Sequence, residues 1–216
     1  MPVFQLDHRL FFPPPDLARA DGLLAVGGDL KPERLLLAYR LGIFPWYSPG
    51  EPILWWAPDP RLVLLPEEFH CSRRLARKLR QGFFRFSINR DFGAVIRACA
   101  EIHRPGQEGS WLDEAMVEAY CRLHELGHAH SVECYRDDEL VGGVYGVALG
   151  KIFFGESMFS RMPDASKAAL AHLVAGLRRA GCVMIDCQVK SDHMMRLGAR
   201  LIPGRVFFRQ LALALE

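Results

Sequence analysis

The sequence has 216 residues, of which 50% are hydrophobic and 24% are charged. This balance is typical of a folded globular protein and excludes a disordered tail or a fibre. The length fits one domain with a smaller unit beside it, because domains average about 150 residues. The formal net charge is only +2, and as a total it gives no indication of a polyanionic partner.

The N-terminal segment and the cysteines indicate the compartment. Residues 1–12 carry Asp7 within a short apolar stretch and lack the basic region and cleavage site of a secretory signal. No apolar run approaches the roughly 20 residues of a membrane helix. The six cysteines form no Cys-x-x-Cys pair, which is typical of reduced thiols. We therefore expect a cytoplasmic protein without a membrane partner and, by default, a monomer.

The first 60 residues are irregular and rich in proline, and they contain three of the four tryptophans. Within them, residues 29–39 predict one short helix, with Pro32 at its start and Gly42 as its stop. No low-complexity linker follows. We predict a small N-terminal domain over residues 1–60 that packs directly on a second domain over residues 61–216.

The hydrophobic pattern from residue 61 onward predicts regular structure. Strands are predicted at residues 61–65, 129–135, 140–149, 152–159 and 183–189 and near 201–208. Helices are predicted at residues 72–81, 91–101, 113–126 and 164–180, with a short one near Asp192. This order is similar to the acyl-CoA N-acyltransferase (GNAT) topology. The predicted fold class is α+β, a small N-terminal domain plus a GNAT-like mixed-sheet domain.

Charge is unevenly distributed along the chain. Residues 71–90 contain seven basic residues and no acid, whereas residues 101–139 contain ten acids and three basic residues. The helix predicted at residues 72–81 can pack its leucines inward and present a basic face to a polyanion. This face consists of Arg73, Arg74, Arg77, Lys78 and Arg80. A solvated surface is the alternative, but the absence of interleaved acids favours phosphate binding.

The segment His124–His128 reads HELGH and satisfies the HExxH zinc signature. That chemistry requires both histidines on one face of a continuous helix. Gly127 is typical of a helix end, so His128 is expected to lie beyond the helix. We interpret the segment as a helix C-terminus stabilised by an imidazole and predict no metal site. A zinc hydrolase remains an alternative that metal analysis would test.

Polar residues in apolar strands are candidates for chemistry. Alternation along the strand predicted at residues 183–189 places Asp186 and Gln188 on one face, where a carboxylate can orient an amide or hold an ammonium group. Glu156 is a second carboxylate in an aromatic-rich strand. Such groups either form internal hydrogen bonds or line a cavity. The residues alone leave both interpretations open.

Five long blocks in the chain carry a resemblance to a known family. They are GLLAVGGDL, GIFPWYSPGEPILWWAPDPR, HELGHAHSVE, LVGGVYGVALGKIFFGESMFSRMPDASKAAL and IDCQVKSDHMMRLGA. Together they resemble the leucyl/phenylalanyl-tRNA--protein transferases, the aminoacyltransferases of the bacterial N-degron pathway. The resemblance implies that leucine or phenylalanine, and less well methionine, passes from leucyl-tRNA or phenylalanyl-tRNA to proteins with N-terminal lysine or arginine. The product carries a new peptide bond and is marked for proteolysis.

The resemblance also assigns binding residues. Trp46 and Trp111 match aromatic residues that hold the terminal adenosine of the tRNA, with Tyr39 and Tyr120 nearby. Both tryptophans lie on predicted loops, where an indole can stack on a base for roughly 1–3 kcal/mol. The walls of the aminoacyl pocket correspond to Val144, Phe153 and Ile185.

The catalytic pair of the family corresponds to Asp186 and Gln188. A neutral amide is too weak a base to hold a proton, so we interpret Gln188 as an acceptor that aims the amine and Asp186 as the group that orients this amide. Glu156 is expected to bind the cationic acceptor or the substrate amino group. The resemblance implies no cofactor, since the aminoacyl ester is already activated. A non-catalytic RNA-binding module is the other alternative, and it predicts tRNA binding without turnover.

Coenzyme A is the cofactor that a GNAT-like topology would otherwise suggest. GNAT enzymes that use it carry a glycine-rich pyrophosphate loop between the fourth strand and the next helix. Here that stretch reads SRMPDASKA and contains no glycine. The sequence therefore argues against coenzyme A.

Overall fold

The strands of the chain form two sheets in the computed structural model, which describes residues 3–102 and 112–216. Within these ranges the smaller sheet has the order β1-β2-β4-β3, with β1 Phe4–Leu6, β2 Leu23–Gly27, β3 Phe44–Pro45 and β4 Leu54–Trp56. The larger sheet has the order β11-β5-β10-β9-β8-β7-β6. Its strands are β5 Arg61–Leu64, β6 Arg85–Ile88, β7 Ala129–Arg136, β8 Glu139–Leu149, β9 Ile152–Ser160, β10 Met184–Asp186 and β11 Arg200–Ile202.

The helices begin where the sequence supplies capping residues. They are α1 Pro32–Arg40, α2 Arg73–Arg80, α3 Phe92–Glu101, α4 Glu114–Glu125, α5 Ala165–Arg179, α6 Asp192–Arg196 and α7 Gly204–Leu215. Ser72, Asp91 and Asp113 each accept a hydrogen bond from a first-turn N–H of the following helix. The predicted bounds of α2, α3, α4 and α5 are confirmed to within one residue. No helix in the described part of the chain is long and apolar enough to cross a membrane.

The larger sheet is mixed. β9 and β10 run parallel, while the other paired strands of this sheet run antiparallel. The predicted succession of three antiparallel strands, a helix and a further strand is confirmed in β7 to β10, as is the α+β fold class. Buried side chains of the two sheets and of α1 share one core, in which Leu35 of α1 and Trp55 of β4 join Val147 and Phe154 of the larger sheet. The domain boundary at residue 60 remains a prediction.

Two segments differ from the sequence prediction. The strand expected near residues 201–208 is wrong in its second half, because α7 begins at Gly204, whose N–H donates to Asp59 Oδ1 at 2.8 Å. Asp59 is distant in sequence, so no local pattern reveals this cap. β6 was not predicted; it is an edge strand whose ends, Arg85 and Ile88, are exposed, and it lacks an alternating pattern.

A cleft forms where β9 and β10 separate. Their pairing ends at Asp186 opposite Phe154, whereas β9 continues to Ser160. On its other side, β9 shifts register against β8, because Tyr145 pairs with Ser157 but the next residue, Gly146, pairs with Gly155. Glu156 is therefore the extra residue of a β-bulge, a device that redirects a side chain.

Gly146 is required opposite this bulge. A Cβ at Gly146 would lie 2.1 Å from the Phe154 carbonyl oxygen, which no real side chain tolerates. The local sequence thus supplies both parts of the distortion, an extra residue on β9 and a residue without a side chain on β8.

Candidate active site

An apolar cavity of about 690 Å³ occupies the cleft between β9 and β10. Val144, Phe153 and Ile185, which the sequence analysis assigned to one pocket, all line it. They come from β8, β9 and β10 respectively. The volume lies within the roughly 300–1,000 Å³ of small-molecule sites.

Further apolar residues of the cavity were missed by the sequence analysis. They include Met158, Leu170, Leu173 and Met194. Leu170 and Leu173 are one turn apart on α5, so they share the helix face that packs against the sheet. Helical spacing cannot distinguish such a face from ordinary core, and this signal therefore could not have placed them in a cavity.

A chain of hydrogen bonds forms the polar end of the cavity. Gln188 Nε2 donates to Glu156 Oε1 at 3.0 Å, and the Tyr120 hydroxyl donates to Glu156 Oε2 at 3.0 Å. The hydroxyls of Tyr39 and Tyr120 are hydrogen-bonded to each other. Glu156 and Gln188 line the cavity, whereas both tyrosines are fully buried behind them. Four segments far apart in sequence thus meet at one carboxyl group.

The surroundings of Glu156 change its acidity. Burial raises the pKa of its carboxyl group from 4.5 to about 7, against the lowering effect of hydrogen bonds from Tyr39 and Tyr120. Burial also raises the pKa of both tyrosines well above the usual 10. At neutral pH the tyrosines are therefore protonated donors, and Glu156 is divided between its two protonation states.

Asp186 lies beside this chain and is fully buried with Arg61. Arg61 Nε donates to Asp186 Oδ1 at 2.9 Å, and Arg61 Nη2 donates to Oδ2 at 2.6 Å. The backbone N–H of Gln188 donates to Asp186 Oδ1 at 2.9 Å. This geometry corrects the expected role of Asp186, because the carboxylate holds the backbone of Gln188 while Glu156 holds its side-chain amide.

The backbone conformation at Gln188 explains why the direction of its side chain could not be predicted from the alternation of side chains along a strand. β10 ends at Asp186, shorter than the predicted 183–189, and Gln188 has a left-handed φ of 58°. This conformation is uncommon for a residue with a side chain. The side chain of Gln188 is thus directed by a turn rather than by the pleat of a strand.

Arg61 is the residue of this site that the sequence analysis did not identify. It begins β5, whose four positions are all buried. A charged side chain in such a strand must have a buried partner, since an unpaired charge in the interior is too costly. That argument points to some carboxylate, but the sequence does not reveal which one.

The residues expected to bind adenosine are only partly described. Trp46 is half-buried, and its ring packs against Trp56 with 5.8 Å between ring centroids. Trp56 Nε1 donates to the Trp46 carbonyl at 2.6 Å, which fixes the loop. Trp46 is not among the described residues that line the cavity. Trp111 lies outside the described residues, so the stacking platform remains a prediction.

The HELGH segment does not form the helical zinc motif. α4 ends at Glu125, and Gly127 has a φ of 82° that turns the chain before His128. His124 Nδ1 lies 2.8 Å from the Ala129 carbonyl oxygen, and its ring stacks on Phe92 with 4.5 Å between centroids. Within residues 3–102 and 112–216, no group of three or more His, Cys, Asp or Glu side chains could hold a metal ion.

The basic face predicted on α2 is largely solvent-exposed. Its exposed members are Arg73, Arg74, Arg77 and Arg80. Lys78 is only half-exposed, because its Nζ lies 2.6 Å from Asp164 Oδ2. Asp164 sits at the start of α5, and its hydrogen bond from Lys78 lowers the pKa of its carboxyl group. Lys78 is thus engaged within the protein, and the four arginines form the accessible surface.

The larger sheet opens between two parallel strands onto an apolar cavity with a polar end. Residues 63–212 match the family model described as leucyl/phenylalanyl-tRNA protein transferase, and residues 28–59 match the model of its N-terminal domain. The chain belongs to the leucyl/phenylalanyl-tRNA protein transferase family and is an aminoacyltransferase.

Relatives named leucyl/phenylalanyl-tRNA--protein transferase match nearly the whole chain. One from Anaeromyxobacter sp. (strain K) is 57% identical over 216 residues, which is 100% of this chain and 93% of the relative. One from Syntrophus aciditrophicus (strain SB) is 59% identical over 207 residues, 96% of this chain and 87% of the relative. Among solved structures, a GCN5-related N-acetyltransferase from Kribbella flavida is 11% identical, with a TM-score of 0.41 over 82% of this chain and 63% of that chain.

Proposed function

We propose that this chain transfers leucine or phenylalanine, and less well methionine, from aminoacyl-tRNA to proteins with an N-terminal lysine or arginine. The new peptide bond marks the acceptor for N-degron proteolysis in the cytoplasm, and the chain acts as a monomer without a cofactor. The observation that carries this proposal is the apolar cavity that ends at Glu156 and Gln188. It offers room for one apolar side chain next to groups that can bind an amine.

The cavity suits the side chains of leucine and phenylalanine. Burying such a side chain contributes about 1.5–3 kcal/mol, which the walls formed by Val144, Phe153 and Ile185 can supply. A side chain that differs from the best-fitting one by a single methylene changes the binding free energy by only about 1–3 kcal/mol. Some transfer of methionine is therefore expected.

The chemistry requires one bond to form as another breaks. The acceptor's α-amino nitrogen bonds to the ester carbonyl carbon, the bond from that carbon to the ribose oxygen breaks, and a proton passes from the amine to the ribose oxygen. Because Gln188 Nε2 donates to Glu156, Gln188 Oε1 remains the acceptor for the amine N–H. Ionised Glu156 attracts the ammonium group, and its pKa of about 7 suits it to take up a proton.

A transfer assay tests this function. The protein is incubated with radiolabelled leucyl-tRNA or phenylalanyl-tRNA and with peptides that begin with arginine, lysine or alanine. We expect label in the first two peptides only. Equal labelling of the alanine peptide would contradict the proposed specificity, and tRNA binding without any labelled peptide would favour the RNA-binding module.

The pKa of Glu156 predicts a pH dependence of stability. The folded chain binds the proton of the Glu156 carboxyl group more tightly than the unfolded chain does. The contribution of this proton to the free energy of unfolding is therefore complete below about pH 4.5 and is lost as the pH rises through about 7. Relative to Glu156→Gln, the Tm of the unmodified protein should fall over this interval and then level off. Thermal unfolding at several pH values measures this, with Glu118→Gln at an exposed helix position as the control for a lost carboxylate. Parallel curves for the unmodified protein and Glu156→Gln would contradict it.

The exposed arginines of α2 are proposed to bind the tRNA backbone. Each lost phosphate contact should reduce the salt dependence of binding, d(log K)/d(log [salt]), by about 0.7–0.9 in magnitude. We therefore expect Arg77→Glu to weaken tRNA binding by about tenfold at low salt, with a shallower salt slope. Filter binding at several salt concentrations measures this. Arg122→Glu on acidic α4 changes the charge equally and is the control; an equal loss there would contradict a specific α2 surface.

A further inference from the structure

We infer that Arg61 is a positioning residue for the transfer reaction. It acts through Asp186, which holds the backbone of the residue that faces the amine, Gln188. The expected effect on kcat rests on the proposed function. The expected effect on the backbone at Gln188 rests on geometry alone.

The contacts leave Asp186 little freedom for any other role. Oδ1 accepts from Arg61 Nε and from the Gln188 N–H, both at 2.9 Å, and Oδ2 accepts from Arg61 Nη2 at 2.6 Å. Arg61 and Asp186 are 1% and 0% exposed. A bidentate guanidinium–carboxylate pair fixes orientation as well as distance. Asp186 is therefore a fixed acceptor for the Gln188 N–H.

The guanidinium of Arg61 is itself held between two aromatic rings. Its central carbon lies 4.8 Å from the ring centroid of Phe44 and 4.6 Å from that of Phe207. Nη1 is buried and has no hydrogen-bond partner in the described part of the chain. The faces of the two rings therefore stabilise the positive charge of the guanidinium. Phe44 belongs to β3 of the smaller sheet and Phe207 to α7. Arg61 thus ties two remote segments, β3 and α7, to the end of β10.

The segment after β10 needs this support. A non-glycine residue in the left-handed region is strained and persists only where its surroundings enforce it. At Gln188 the enforcing contacts are the N–H bond to Asp186 and a 3.2 Å bond from the Leu62 N–H to the Gln188 carbonyl. Leu62 is the neighbour of Arg61 on β5, so both contacts move with Arg61. A displacement of about 1 Å can cost about 100-fold in rate.

The variant Arg61→Lys tests this role. It keeps the charge but loses the two-pronged contact, so we expect kcat to fall by about 30-fold while KM for leucyl-tRNA and for an arginine peptide changes by less than about threefold. Arg34→Lys is the matched control. Arg34 is also 1% exposed and pairs with an aspartate, Asp29, at 3.3 Å, but its hydrogen bond at 2.8 Å is to the Asp7 carbonyl oxygen rather than to Asp186 or Gln188. Its kcat should stay within about threefold at a temperature at which both variants are folded.

Hydrogen–deuterium exchange gives a readout that needs no activity. In Arg61→Lys the peptide spanning residues 184–191 should exchange about tenfold faster, because the Gln188 N–H loses its fixed acceptor. The same peptide should be unchanged in Arg34→Lys. Unchanged exchange and kcat in Arg61→Lys, or equal changes in both variants, would overturn the inference. If the unmodified protein transfers nothing, the proposed function fails, while the exchange comparison still decides the role of Arg61.

A second variant covers the case in which Arg61→Lys does not fold. Phe207→Leu keeps the ion pair and removes one of the two rings against the guanidinium. We expect a fall in kcat of about threefold to fivefold, with faster exchange at residues 184–191. Unchanged kcat and exchange in this folded variant would overturn the inference as well.

Discussion

Replacing Asp186 with alanine should lower the free energy of unfolding by about 3–5 kcal/mol, because Arg61 then remains buried without its carboxylate. The Gln188 N–H would lose its acceptor in the same variant. We therefore expect the transfer rate to fall by up to about 100-fold even where the variant is still folded. Urea unfolding measures the first effect, and the radiolabelled transfer assay measures the second.

A double variant separates these two effects. Asp186→Ala combined with Arg61→Met removes both charges, and apolar replacement of a buried ion pair is often close to neutral for stability. The double variant should regain most of the lost stability while its transfer rate stays as low as that of Asp186→Ala. Wild-type stability in Asp186→Ala alone, or restored activity in the double variant, would show that the ion pair does not have this role.

Replacing Gln188 with alanine should lower kcat by about 100-fold, because the acceptor for the amine is lost while the backbone contact to Asp186 is kept. Little change in stability is expected, since the removed amide contributes one hydrogen bond to Glu156. Steady-state kinetics with an arginine peptide measures the effect.

Gln188→Gly is the matched control for this variant. Glycine adopts the φ of 58° at this position without strain. Both variants lack the side-chain amide, so both should be slow, and a difference between them would report only on the backbone. A rate within about threefold of the unmodified protein in either variant would show that the amide does not aim the amine.

Local sequence signals were sufficient for much of the fold. Three predicted helix starts, near Ser72, Asp91 and Asp113, are confirmed, and each of these residues caps its helix, since capping depends on residues within one turn. The start of α7 depends on Asp59, a residue far away in sequence, and it was missed for that reason. The start of a helix can be predicted from the local sequence only where the capping residue is close to it in sequence.

The candidate site was predictable as a set of residue types but not as a geometry. The resemblance placed Glu156, Asp186 and Gln188 in one site, and the structure brings them together. The pairing of Asp186 with Arg61 joins residues 125 positions apart, and nothing in either segment specifies the other. Likewise, the bulge at Glu156 depends on how two strands meet, which a one-strand pattern cannot show.

The bulge at Glu156 places this carboxylate outside the regular pairing of the two strands. The ladder is continuous on both sides, through Tyr145 with Ser157 and Gly146 with Gly155. A chain one residue shorter at this point could form the same sheet, with every other side chain on its present face. A single inserted codon would then give such a sheet a carboxylate in its cleft.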